Sequence, residues 1–169
     1  DITSPVNDGF AEFTIDIKQG TFVTNEFVVD TSQPNQKFIL PNPYVDTSTL
    51  KVQVRDTLTS SSRKTYSQID NIVGISTHSE TFLIQEIQDE KYELLFGDGV
   101  LGKRLSNGNV INSTYIVTDG VGGNGVSNFS FAGKLVDNDG GLITSGISDI
   151  ITNERSSNGA EVESIDTIR

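Results

Sequence analysis

The sequence predicts a mainly β protein, an antiparallel β-sandwich or barrel-like module of short strands, with one helix starting near the carboxyl end. Three observations predict it. Apolar and polar residues alternate over strand-length runs, most clearly at Leu50, Val52 and Val54. Gly, Asn and Asp cluster between these runs, where turns are expected. Before residue 158, no segment has the spacing of an amphipathic helix.

The strand-like segments follow one another along most of the chain. They are residues 13–17, 22–29, 37–40, 50–54, 66–73, Thr81–Ile87, Lys91–Phe96, Val110–Val117, the stretch around Phe129 and Phe131, and residues 146–152. The sequence between Lys91–Phe96 and Val110–Val117 is rich in Gly and Asn, which adopt the positive φ of tight turns. We therefore expect these two strands to pair with each other.

A helix is predicted at the carboxyl end. Asn158 is a suitable N-cap, and Glu161 three residues later completes a capping box. The apolar residues that follow recur at helical spacing: Val162, Ile165 and Ile168. We expect residues 1–155 to form a β-rich domain, and residues 156–169 to be a linker and the start of a helix that leads into a further domain. On this interpretation the chain is an interior part of a longer polypeptide.

Charge and composition exclude several classes of function. Twelve Lys and Arg residues stand against 23 Asp and Glu residues, a net charge of −11. A field of this sign repels nucleic acids and anionic lipid surfaces, so we expect no nucleic-acid partner. Apolar runs are too short for a membrane span. The absence of Cys excludes disulfides and thiolate chemistry.

One glycine motif invites a nucleotide-binding interpretation. Gly97, Gly99 and Gly102 form a G-x-G-x-x-G pattern, with Lys103 next to it. A phosphate loop of this kind needs a helix to follow, so that backbone N–H groups and the helix dipole face the phosphate. No helical pattern follows here. We expect residues 97–108 to form a β-hairpin connection in which at least one of the three glycines has positive φ.

The sequence patterns that could indicate a catalytic or metal site are incomplete. His78 is the single histidine, which excludes triads and sites with several histidines. Asp137 and Asp139 resemble the front of a calcium loop, but Ser148 stands where the bidentate carboxylate is needed; a looser Ca²⁺ site stays open. A group of acidic residues is expected to be solvated surface: Glu86, Asp89, Glu90 and Glu93. We expect no enzyme, no cofactor and no small-molecule substrate.

The order and spacing of turn residues between positions 96 and 125 are more informative. The residues that carry the pattern are Phe96, Gly97, Asp98, Gly99, Gly102, Gly108, Tyr115 and Asn124. They resemble the baseplate J-like and baseplate wedge proteins of contractile-tailed bacteriophages. That family has an F-G-D-G-x-x-G turn, an N/S-G pair before the next strand, a Tyr within that strand, and a G-x-x-G-N ending. Residues 122–125 match this ending with slightly shifted glycines.

Two further stretches extend the resemblance over roughly residues 22–169, whereas residues 1–21 match nothing in the family. Residues 50–54, which follow Val45 and Asp46, are similar to the strand that precedes the hallmark turn in wedge proteins. Near the carboxyl end, several residues resemble the G-G-A-x-x-E-S-x-x-x-x-R start of the family's carboxy-terminal domain. They are Gly159, Ala160, Glu163, Ser164 and Arg169, with Asn158 in place of the first Gly.

The resemblance implies a structural role without catalysis or cofactor. Such proteins associate with themselves and with other baseplate and tail proteins in a ring around the central hub, which rearranges when the tail contracts. The implied location is the virion tail baseplate, assembled in the host cytoplasm. An alternative stays open, a secreted or virion-surface β-sandwich adhesin that binds a glycan or host receptor. The absence of Trp weighs against sugar stacking in such an adhesin.

Overall fold

A computed structural model describes residues 14–136, 139–144 and 150–160. Within these ranges the chain is mainly β, as predicted. Its strands are β1 (Thr21–Val28), β2 (Phe38–Ile39), β3 (Val45–Arg55), β4 (Lys64–Gln68), β5 (Thr81–Ile87), β6 (Lys91–Phe96), β7 (Val110–Val117), β8 (Leu135–Val136) and β9 (Leu142–Ile143). Short 3₁₀ turns occur at Gln88–Glu90 and Gly120–Gly123. No helix in the described ranges is long and apolar enough to cross a membrane.

Seven strands form one sheet in the order β1-β7-β3-β4-β5-β6-β2, and β8 and β9 form a separate antiparallel pair. The pairings are antiparallel except that β4 and β5 are parallel, with Ser67 opposite Thr81. The expectation of a purely antiparallel sheet is therefore wrong. The physical reason is the connection of residues 69–80, which is long enough to return the chain to the end of the sheet from which β4 started.

The two edges of the sheet approach each other, so the sheet is a nearly closed barrel. Phe27 on β1 and Phe38 on β2 make an edge-to-face contact with ring centroids 5.7 Å apart. Gln36 bridges the same gap, because its Nε2 donates to the Val28 carbonyl at 2.8 Å and its Oε1 accepts from the Asp30 N–H at 2.8 Å. Of the two predicted architectures, the barrel-like one describes this sheet.

Apolar side chains from all parts of the sheet fill the barrel. The most deeply buried of these core side chains are Leu40, Val52, Leu94, Ile111 and Tyr115. Phe96 lies among aromatic rings, with centroids 5.7 Å from Phe38, 5.8 Å from Tyr66 and 6.3 Å from Phe82. Burying each such side chain stabilises the fold by roughly 1.5–3 kcal/mol.

A polar network ties three strands together on the outside of the barrel. Arg55 on β3 contacts Glu26 on β1 at 2.5 Å through its Nη2, and its Nε donates to Asn112 Oδ1 on β7 at 2.9 Å. Asn112 Nδ2 in turn donates to Glu26 Oε2 at 2.8 Å. Because each of the three side chains contacts both of the others, the network fixes the register of β1, β7 and β3.

The expected pairing of Lys91–Phe96 with Val110–Val117 is wrong. Strand β6 pairs with β5 and β2, whereas β7 pairs with β1 and β3. The glycine-rich residues between β6 and β7 therefore cross from one part of the sheet to another and do not form a hairpin. Local turn chemistry is the same in both arrangements, and tertiary packing decides which strand becomes the neighbour.

Other predicted elements also differ from the structure. Residues 14–17 form no strand, and Ile15 and Ile17 are exposed; residue 13 lies outside the described residues. The stretch around Phe129 and Phe131 is not a strand, and the strands of this region are β8 and β9. Of the predicted strand at 146–152, residues 146–149 lie outside the described residues and 150–152 form no strand. These elements were predicted only from the alternation of apolar and polar residues. A segment with that pattern still needs a neighbouring strand to pair with before it forms a strand.

The predicted helix does not begin at Asn158. Residues 155–160 are neither helix nor strand, and Asn158 has a φ of 68°, not the extended backbone of an N-cap. The rest of the predicted helix, residues 161–169, lies outside the described residues. Asn158 is in a left-handed conformation that Asn tolerates better than most residues, so the same residue suits a turn as well as a cap.

Candidate functional site

The segment of residues 96–109, which consists of the last residue of β6 and the loop after it, is here called the motif turn. It holds most of the residues that carry the family resemblance. Gly97 and Gly102 lie back to back, so that a Cβ on Gly97 would be 2.2 Å from the Gly102 carbonyl carbon. The Gly99 N–H donates to the Gly102 carbonyl at 3.1 Å. Gly99 and Gly102 have φ values of 92° and 83°. The prediction of positive φ is confirmed, and glycine is required at both positions.

Asp98 closes the tip of the motif turn. Its Oδ1 accepts hydrogen bonds from the backbone N–H groups of Val100 and Leu101, both at 2.8 Å. The bonds from Leu101 and Val100 hold the pKa of Asp98 below its usual value. Lys103 Nζ contacts Glu80 Oε1 at 2.7 Å. The amides and the ammonium group that a phosphate loop would present are thus hydrogen-bonded within the protein.

The motif turn docks on two other segments. On one side, Gly102 and Lys103 N–H groups donate to the carbonyls of Ser76 and Ser79, at 3.2 and 2.9 Å. At its other end, Gly108 N–H donates to the Val29 carbonyl at 2.8 Å. The turn therefore connects the loop after β4 with the end of β1, and its glycines allow the close backbone approaches that this requires.

Tyr115 lies inside the barrel on β7 and is fully buried. Its hydroxyl donates to Asn42 Oδ1 at 2.8 Å, and burial raises the pKa of the phenol. Asn42 lies between Pro41 and Pro43, which lack the N–H groups a strand would need. Tyr115 therefore fastens this proline segment to the core.

Asn124 brings together two stretches of the family pattern that are 35 residues apart. Its Nδ2 donates to the Gly159 carbonyl, and its Oδ1 accepts from the Gly159 N–H, both at 2.8 Å. The side-chain amide thus pairs with one residue's backbone as a neighbouring strand would. A Cβ on Gly159 would be 2.1 Å from the Gly120 carbonyl oxygen, so only glycine fits there.

Further hydrogen bonds hold residues 150–160 against residues 119–127; we call this contact the glycine junction. Gly125 N–H donates to the Ser156 carbonyl at 2.8 Å, and Ser156 N–H donates to the Val126 carbonyl at 2.9 Å. Ser156 Oγ donates to the Gly123 carbonyl at 2.6 Å and accepts from the Val126 N–H at 2.8 Å. Sequence reasoning missed Ser156, because a side chain that bonds to a distant backbone leaves no periodic pattern.

A shallow depression of about 180 Å³ lies beside the glycine junction. Its lining includes Tyr44, Tyr92, Glu86, Glu90 and Ala160. Burial, and then the charge of Glu86, raise the pKa of Tyr92. The depression is small compared with typical ligand pockets of about 300–1,000 Å³.

The structure separates the predicted acidic group. Glu86 and Glu90 line the depression, whereas Glu93 is almost buried and contacts Lys37 Nζ at 3.6 Å. The expectation of a solvated surface is therefore wrong for Glu93, because it lies on β6 between β5 and β2. His78 is exposed, and its Nδ1 lies 2.9 Å from Thr77 Oγ1.

In the described ranges, no group of three or more His, Cys, Asp or Glu residues could hold a metal ion. Asp137 and Asn138, which begin the possible calcium loop, lie outside those ranges.

No protein-family model and no curated protein matches the chain. The resemblance to baseplate proteins therefore depends on the motif residues and their spacing.

Proposed function

We propose that this chain is a non-enzymatic scaffold of a contractile phage tail baseplate. As a wedge or ring component it oligomerises with itself and with other baseplate and tail proteins, and it rearranges when the tail contracts. It acts in the virion, after assembly in the host cytoplasm. The observation that carries the proposal is the pairing of Asn124 with Gly159, which joins two stretches of the family pattern.

The internal contacts of the motif residues support a structural role. Phe96 packs among aromatic rings, Asp98 bonds to the backbone of its own turn, and Tyr115 is buried against Asn42. A catalytic or binding motif instead directs several polar groups into one cavity. Within the described residues, no buried side-chain nitrogen or oxygen lacks a hydrogen-bond partner.

The glycine junction gives the scaffold a means of directing the chain. The junction fixes Gly159 against Gly120 and Asn124, so the path of the chain at Ala160 is set relative to residues 119–127. On the proposed function, a further domain follows in the parent protein, and the junction holds the first part of its connection in a defined direction. Assembly into a ring requires that direction, because each subunit must meet its neighbours at a constant angle.

The test is co-expression of the parent protein with the other proteins of its tail, followed by size-exclusion chromatography with light scattering. We expect defined hetero-oligomers from the wild type. Gly159→Ala should reduce their yield at least about tenfold, because the added Cβ would lie 2.1 Å from the Gly120 oxygen. Gly122→Ala is the matched control, since its Cβ would meet only the Asp119 Cβ at 4.0 Å.

The 169-residue chain alone should be monomeric or weakly associating, because its charge of −11 opposes self-association. If the parent protein stays monomeric beside every tail component and binds a glycan or host receptor tightly, the scaffold proposal is wrong. The adhesin alternative would then replace it.

A further inference from the structure

The chain contains three Asn-Gly pairs, at residues 107–108, 124–125 and 158–159. Asn followed by Gly is the pair most prone to deamidation, because glycine leaves the next backbone nitrogen free to reach the asparagine side chain. That nitrogen attacks the side-chain carbonyl carbon, the C–N bond to the side-chain nitrogen breaks, and ammonia leaves with the amide proton. Water then opens the resulting succinimide to aspartate or isoaspartate.

In the described structure, each of the three attacking N–H groups is already a hydrogen-bond donor. Gly108 donates to the Val29 carbonyl, Gly125 to the Ser156 carbonyl and Gly159 to Asn124 Oδ1, all at 2.8 Å. At Asn124 the side chain is engaged as well, because both ends of its amide bond to Gly159. Attack at this residue therefore requires these bonds to break first.

The protection at residues 107 and 124 differs in origin. Gly108 donates to Val29, a buried core residue at the end of β1. The bonds around Asn124 come from Ser156 and Gly159, and none of the described residues from 118 to 160 is buried. Regions with few buried apolar contacts open locally at a lower free energy than densely packed ones. The glycine junction should therefore open before the barrel does.

We infer that Asn124 is a latent deamidation site, which the closed glycine junction protects and which opening of the junction exposes. The product has a carboxylate in place of the amide and cannot donate to the Gly159 carbonyl. Two oxygens would then face each other where a hydrogen bond had been, and the chain would gain one negative charge. The junction could not close again in the same form. Because the change is irreversible, a molecule with aspartate or isoaspartate at position 124 would be one in which the junction had opened. This inference does not depend on the baseplate proposal.

The experiment measures deamidation of the 169-residue chain by peptide mass spectrometry at mildly alkaline pH, in buffer and in urea. We expect Asn124 to react at least about tenfold more slowly in the folded protein than in the unfolded one. In Gly159→Ala the Asn124 rate should rise toward the unfolded value, while Asn107 keeps its wild-type rate. Gly122→Ala should leave both rates unchanged, because its Cβ meets open space apart from one contact at 4.0 Å.

Equal Asn124 rates in the folded and unfolded protein would overturn the inference, as would a wild-type Asn124 rate in a folded Gly159→Ala. If that variant unfolds, the rate at Asn107 will rise too. Ser156→Ala then serves as the test variant. It weakens the junction by removing only the two bonds of the Ser156 hydroxyl. A rise at Asn124 alone supports the inference, and no rise refutes it.

A second measurement tests whether the product keeps the junction open. Arg155 is exposed within the junction, so trypsin cleavage after it reports release of this segment. We expect Asn124→Asp to be cleaved there several-fold faster than wild type. Unchanged cleavage would show that the junction closes around an aspartate. That result would contradict the inference that deamidation prevents the junction from closing again.

Discussion

The barrel of residues 21–117 and the segment of residues 118–160 are built on different principles. The barrel has seven paired strands around a core that includes Leu40, Leu94 and Tyr115. The described part of the later segment has only the short pair β8 and β9, and none of its residues is buried. Its order depends on hydrogen bonds such as those of Asn124 and Ser156.

This difference separates two sources of stability in one chain. Burying an apolar side chain contributes roughly 1.5–3 kcal/mol, whereas an exposed hydrogen bond adds about 1 kcal/mol or less net, because water competes for its partners. The barrel should therefore determine global stability, and the glycine junction should determine local order. Each region can be perturbed without the other, which the following changes test.

The largest effect is expected in the barrel core. Leu94→Ala removes a side chain that is 1% exposed and leaves a cavity in the barrel core. We expect the free energy of unfolding to fall by about 2–5 kcal/mol, measured by urea denaturation. Leu142→Ala, at a position 56% exposed, is the control and should change it by less than about 0.5 kcal/mol. Equal effects of the two would remove the distinction between the regions.

A smaller effect is expected from the buried hydroxyl of Tyr115. Tyr115→Phe keeps the packing but removes the hydrogen bond to Asn42 Oδ1. We expect a loss of about 1–2 kcal/mol in urea denaturation, because the Asn42 oxygen is left partly buried without this donor. In Asn42→Ala, the further change Tyr115→Phe should cost less than it does in wild type. If the two losses simply add, the bond is not the cause.

In the glycine junction, Asn124→Ala should change local order and spare global stability. The variant loses both bonds to Gly159, so the Gly159 amide should exchange with solvent faster in hydrogen-exchange NMR. The free energy of unfolding should change by less than about 0.5 kcal/mol. The Val29 amide, which bonds to Asn109 within the barrel, is the internal control and should exchange at its wild-type rate. A large global loss would show that the junction is part of the barrel's cooperative unit.

The smallest effect concerns pH and the exposed tip of the motif turn. The pKa of Asp98 is lowered by hydrogen bonds from Leu101 and Val100, so the stability these bonds give is present above the usual carboxyl value. This stability is lost as the pH falls through the lowered pKa that Asp98 has in the folded protein. In NMR titrations, the Leu101 and Val100 amide shifts should follow Asp98 below about pH 4.

Asp98→Asn keeps an acceptor oxygen but does not titrate, so it should abolish this pH dependence and retain the turn. If the amide shifts still titrate in that variant, another group is responsible. A confirmed result would show that a solvent-exposed turn attached to the barrel depends on hydrogen bonds in the same way as the glycine junction.

The sequence predicted individual strands well where alternation and turn residues agree. The bounds of Thr81–Ile87, Lys91–Phe96 and Val110–Val117 are those of β5, β6 and β7. Apolar residues on one face and Gly, Asn or Asp at the ends are local signals, and Lys91–Phe96 has both, with Tyr92, Leu94 and Phe96 on one face and Gly97 and Asp98 after it. The positive φ of Gly99 and Gly102 was predictable for the same reason.

Strand partners and the glycine junction were not predictable in this way. The parallel pair of β4 and β5 depends on the path of residues 69–80, and β7 finds its neighbours through contacts with distant strands. Asn124 and Gly159 were recognised as parts of the family pattern, but nothing in their spacing indicates that they touch. Contacts between an amide side chain and a remote backbone follow from the folded path, not from periodicity.

The position of β1 at an edge of the sheet affects how the chain folds as it is synthesised. Strand β1 pairs only with β7, and Glu26 meets its partner Asn112 after 86 further residues. At translation rates of roughly 5–20 residues per second, Asn112 is synthesised about 4–17 s after Glu26, and β1 is unpaired during that time. Pairings this distant also slow folding after synthesis. Thr24 and Glu26 are exposed polar residues of β1, and polar residues on an edge strand disfavour its pairing with other chains. Replacing Thr24 with an apolar residue should lower the yield of folded protein from cells more than it changes the stability of the molecules that fold. Glu26 is unsuitable for this test, because it also bonds to Arg55 and Asn112.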